Sequence, residues 1–143
     1  MTNQTSPFWL NWLLAALLGT AVMGLGFVLL PLQTQSFFDW MMFAGAAPSM
    51  SAEAQSYVHF VYGVLGAVLF GWGSMMAMLT HGPLRRGEPM AWRILALPFL
   101  GWYVVDTLHS LTTGYWQNAV FNTVFLAAIA PPLIALRPQS TAR

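Results

Sequence analysis

Two ionisable side chains, Asp106 and His109, lie one helical turn apart in the otherwise mostly apolar stretch WYVVDTLHS. Residues at i and i+3 share one face of a helix. A carboxylate beside an imidazole can orient and polarise the ring, for proton transfer as a general acid or base or for metal ligation. Asp106 and His109 are therefore the candidate catalytic residues. An ionisable group inside a membrane helix is costly and by default suggests function. The plainer alternative is interhelical glue, with Asp106 accepting bonds from Asn122 and Ser110 worth about 0.6–2 kcal/mol.

Other polar residues fall at matching depths in neighbouring segments. His59 and Tyr62 precede this stretch, and Asn118 and Asn122 follow it at i, i+4 spacing. With Trp102 and Tyr103 they make up the candidate ligand-binding set, for which aromatic rings would line a pocket or favour cationic character. His59 and His109, on two spans at similar depth, raise the further expectation of a bis-His haem, a pigment or a metal. From His59, helical spacing traces Gly63, Gly66, Phe70, Gly73 and Ala77. This small-residue stripe faces either a close helix neighbour or a flat ligand. A ridge of Trp92, Leu95, Phe99, Trp102, Asp106, His109 and Thr113 runs along the later segment. Asn11 reads as a further hydrogen-bonding contact, and His81 as a loop residue.

The elements that must carry these residues follow from composition. The 143 residues suffice for one domain; 57% are hydrophobic, 15% aromatic and 6% charged, and Lys is absent. Soluble domains carry about 25% charged residues, and this chain could not cover a water-facing surface. Mean hydropathy is +0.61. The chain reads as an all-α integral membrane protein. A net charge of +1 offers no basic surface, which argues against nucleic-acid binding. The absence of Cys excludes disulfides, thiolate metal sites, Fe–S clusters and covalent c-type haem.

Four apolar segments, near 9–30, 56–79, 91–112 and 116–136, each provide the roughly 20 helical residues a bilayer requires. They predict a four-helix bundle forming one membrane domain over residues 1–143. The first segment has no Lys or Arg before it and is too long for a signal-peptide core, so it reads as a retained span. Pro31 ends it. In the loop 31–55, Ser36 to Asp39 fits a capping box, and the aromatic, Met-rich run after it predicts a short interfacial helix. Ser51 and Glu53 fit the cap and acidic first turn of the second span. Gly114 allows a tight hairpin between the third and fourth spans. At about 1.5 Å per residue, Asp106 lies roughly 20–25 Å along its span, in the half remote from the termini. Pro98, below it, predicts a kink that frees a backbone carbonyl.

All five Arg fall at the end shared by both termini and residues 80–89, whereas Asp39 and Glu53 fall at the other. The positive-inside rule then predicts cytoplasmic termini in a bacterial-type inner membrane, with the polar cluster in the outer half of the bilayer. No catalytic signature such as GxSxG, HExxH or a phosphate-binding loop is present. The leading expectation is a polar binding or catalytic site of His59, Asp106, His109 and Asn122 for a lipid-like or isoprenoid molecule. The alternatives are a haem or pigment subunit, and a non-catalytic accessory subunit of a membrane complex. Transport is a weaker fourth. Expected partners are membrane lipids, with a homodimer or larger membrane complex possible.

Overall fold

The computed structural model describes residues 6–138. Five α-helices follow one another: α1 (Pro7–Leu29), α2 (Pro31–Phe43), α3 (Ala52–Leu79), α4 (Pro89–Thr112) and α5 (Trp116–Ala135). A single π turn, Thr80–Leu84, prolongs α3. α1, α3 with its π turn, α4 and α5 run for 23, 33, 24 and 20 residues, enough for about 30 Å of hydrocarbon. Large apolar side chains such as Val22, Val68, Met78, Leu97 and Ile134 point outward. The molecule is a small polytopic membrane protein, and its outer surface meets lipid tails.

Prolines and glycines set most of the boundaries. Pro31 stops α1 but also opens α2 at its first turn, where a missing N–H is already without a helical partner. α2 is thus 13 residues long, and Ser36 lies inside it instead of capping it. The Ser36 hydroxyl donates back to the Leu32 carbonyl at 2.9 Å. The cap expected at Ser51 is present, its hydroxyl accepting from the Ala54 N–H at 3.2 Å. Pro83 falls in the π turn, so the second span begins before residue 56 and ends after residue 79. Gly114, at φ 86°, closes the hairpin between α4 and α5 in a backbone region that side chains disfavour.

α1 is the central helix. Its Gly24 and α3's Gly66 and Gly73 bring two backbones into contact. A Cβ on Gly24 would meet the Gly66 carbonyl oxygen at 2.6 Å, and one on Gly73 would meet the Ala21 nitrogen at 2.8 Å. A Cβ on Gly66 would collide with the Gly24 carbonyl. At Gly66 and Gly73 the small-residue stripe is therefore a packing face. It is turned toward α1, away from α4, and leaves no slot for a flat ligand there.

Two indoles tie the helices to α5. Pro132 has no N–H, so the Ala128 carbonyl lacks its i+4 donor. The Trp12 indole N–H takes that place at 2.9 Å. Near the end of α5, the Trp92 indole donates to the Leu133 carbonyl at 2.7 Å. Leu13, Leu17, Met76, Leu84, Leu95 and Ile129 are almost fully buried around these bonds. All lie in the half of the bundle near the termini. Toward the other end the packing opens, because α3 leans on α1 and α4 on α5, and α3 and α4 touch little.

Candidate functional site

The opening between α3 and α4 is a cavity of about 460 Å³, within the usual range for small-ligand pockets of about 300–1,000 Å³. All five helices line it. α1 supplies Met23 and Phe27, and α2 contributes Phe38. Leu65, Leu69 and Trp72 form the α3 wall, while Phe121 and Phe125 project from α5. Asp106, His109, Asn118 and Asn122 converge on it as its polar lining, beside Trp102 and Val105. At the rim, Leu65 and Val105 are 42% and 69% exposed, so the cavity opens sideways toward lipid.

The deep wall is aromatic because rings prop α3 and α4 apart. Trp72 meets Trp102 at 5.7 Å and stacks on Phe99 at 6.4 Å. Trp102 in turn meets the edge of Phe125 at 5.9 Å. At the other end, α2 packs across the cavity. Phe38 packs on Phe27 at 5.6 Å and stacks on Tyr62 at 5.0 Å, and Phe37 meets Phe121 at 5.7 Å. The Gln117 side-chain amide donates to the Met42 carbonyl at 3.1 Å, pinning the C-terminal part of α2 to α5.

The hairpin at Gly114 sets the polar geometry. Asn118 donates from one amide nitrogen to the Ser110 hydroxyl at 2.8 Å and to the Asp106 carboxylate at 3.3 Å. The Ser110 proton goes to the Asp106 backbone carbonyl at 2.7 Å. Ser110 can therefore only accept from Asn118, which orients that amide. Asn122, 2% exposed, donates to the Thr107 hydroxyl at 3.4 Å. The expected bond from Asn122 to Asp106 is thus made by Asn118, since antiparallel helices pair Asn118 with the level of 106–110. Asp106 and His109 both line the cavity, but the side-chain partner of Asp106 among the described residues is Asn118, not His109.

The remaining sequence candidates lie elsewhere. His59 is half-buried on α3 and turned toward α2, its Nε2 lying 2.6 Å from the Gln35 Oε1. Gln55 donates to the same oxygen at 3.3 Å. Tyr62 is occupied by Phe38, and Tyr103 is half-buried outside the cavity lining. Asn11 is exposed on the outside of α1.

The expectation of haem or metal held through His59 and His109 is overturned. Among the described residues no group of three or more His, Cys, Asp or Glu could hold a metal ion. His59 is rotated about the α3 axis onto Gln35, so the two imidazoles do not share the cavity. Equal depth on two helices does not place two side chains on one gap.

Phe38, Trp72 and Phe125 belong to the site without having stood out in the sequence. Only the aromatic richness of the chain hinted at them. Gln35 and Gln55, which engage His59, carried no periodic signal. The chain matches no known protein family, no characterised protein and no solved structure.

Proposed function

We propose that this membrane protein binds one lipid-like or isoprenoid molecule in the cavity between α3 and α4. The observation that carries the reading is the cavity's split chemistry. A carboxylate, two carboxamides and an imidazole gather along its α4–α5 side, while rings and aliphatic groups make up the rest. A few placed polar groups in an otherwise apolar pocket suit an amphipathic ligand, with the polar groups setting its orientation. The sideways opening at Leu65 and Val105 supports entry from the bilayer. With both termini cytoplasmic, the head of the ligand lies in the outer half of the membrane. Asp106 and His109 are the proposed acid–base pair if the bound molecule is transformed, and Trp102, Asn118 and Asn122 position it.

The test is gentle detergent purification followed by native mass spectrometry of the intact protein. A single adduct of lipid mass is expected, reduced when Leu65→Trp fills the mouth. Equal recovery of bulk phospholipids by wild type and the Leu65→Trp variant would refute the reading. So would a stable protein partner with no bound lipid, which would favour an accessory subunit.

A further inference from the structure

The hydrogen bonds around the cavity define the kind of head group it can take. Both amide hydrogens of Asn118 are spent, on Ser110 and on Asp106. One hydrogen of Asn122 is spent on Thr107. Among the described residues no donor is found for the Asn118 and Asn122 carbonyl oxygens or for the second Asp106 oxygen. The polar lining is thus short of donors and rich in acceptors. It carries a carboxylate, and the described arginines, Arg85, Arg86, Arg93 and Arg137, all lie at the opposite end of the helices. His109, exposed beside the mouth, is the one basic side chain in the lining. A phosphate or carboxylate head would meet a like charge and find few donors. A cationic donor would pair Asp106, use the amide oxygens and face the rings of Trp102 and Phe121.

We propose that the ligand is a long-chain amine, its ammonium head held by Asp106 with Asn118 and Asn122 and its tail laid along the Trp72–Trp102–Phe125 wall. This rests on the reading of the cavity as a lipid site. Burying the carboxylate with a cation also compensates its charge in a medium where an unpaired charge is costly.

The experiment titrates the detergent-purified full chain with three probes of equal tail: hexadecylamine, hexadecanol and hexadecyl phosphate. The amine should bind about tenfold or more tighter than the alcohol, as expected for a charge-assisted bond over a neutral one. The phosphate should bind least. In Asp106→Asn the amine should lose most of this advantage while the alcohol still binds, and in Leu65→Trp amine binding should be lost. An alcohol as tight as the amine, a tightly bound phosphate, or amine binding untouched by Asp106→Asn overturns the amine assignment and leaves the lipid site standing, whereas amine binding untouched by Leu65→Trp overturns both readings. If none of the three binds wild type, both readings fall. Should Asp106→Asn not fold, the wild-type ranking of the three probes decides alone.

Discussion

The indole N–H of Trp12 donates at 2.9 Å to the carbonyl of Ala128, the group that Pro132 deprives of its helical donor. A side chain from α1 thereby completes the backbone hydrogen bonding of α5. Within a membrane such a bond has no water to replace it. Trp12→Phe should lower stability by about 1 kcal/mol, the usual size of one net hydrogen bond. Pro132→Ala restores the missing N–H, so Trp12→Phe should cost less in that background. Thermal denaturation of the two single variants and the double variant measures the coupling, and full additivity would show that the indole bond is incidental.

The glycines of α3 should respond unequally to a single added methyl. Gly66→Ala drives a Cβ into the Gly24 carbonyl and the Phe27 side chain, and overpacking of this kind costs about 1–3 kcal/mol. Gly63, three residues earlier, has nothing within 4 Å of an added Cβ. Gly63→Ala should be neutral or stabilising by up to about 1 kcal/mol, from helix propensity alone. Melting temperature and folded yield compare the pair. Equal effects would mean that α1 and α3 do not pack through this face.

Asp106 and Asn118 should separate ligand binding from stability. Asn118 holds Ser110 at 2.8 Å and Asp106 at 3.3 Å, so the α4–α5 clamp leans on Ser110 more than on the carboxylate. Asp106→Asn should lose most of the amine's binding advantage with a nearly unchanged melting temperature. Asn118→Leu removes both bonds and leaves the buried Ser110 hydroxyl without its donor, at a cost of about 1–3 kcal/mol. Ligand binding read beside melting temperature distinguishes the two. An Asp106→Asn variant that binds and melts like wild type would make the carboxylate scaffold.

The arginines predict the topology. Reporter fusions at either terminus and within residues 85–88 should read cytoplasmic, and fusions within 44–51 should read external. Among the described residues Arg85, Arg86, Arg93 and Arg137 carry the bias. An external reading at 85–88 would place the cavity in the inner half of the bilayer and reverse the direction from which its ligand enters.

Spans, hairpin and membrane class are legible in the sequence because each depends on properties counted along one chain: apolar run length, prolines at the ends, a glycine at the turn. Asp106, His109, Asn118 and Asn122 are legible for a related reason, since a polar side chain in an apolar run stands out wherever it points. The rotation of each helix about its axis is not counted in this way. It is decided by which surfaces fit, and here Gly24, Gly66 and Gly73 let α1 and α3 approach backbone to backbone while Trp72, Phe99 and Trp102 hold α4 away. That difference in reach turned His59 toward Gln35, left the two imidazoles apart, and opened between α3 and α4 the cavity that the polar residues share.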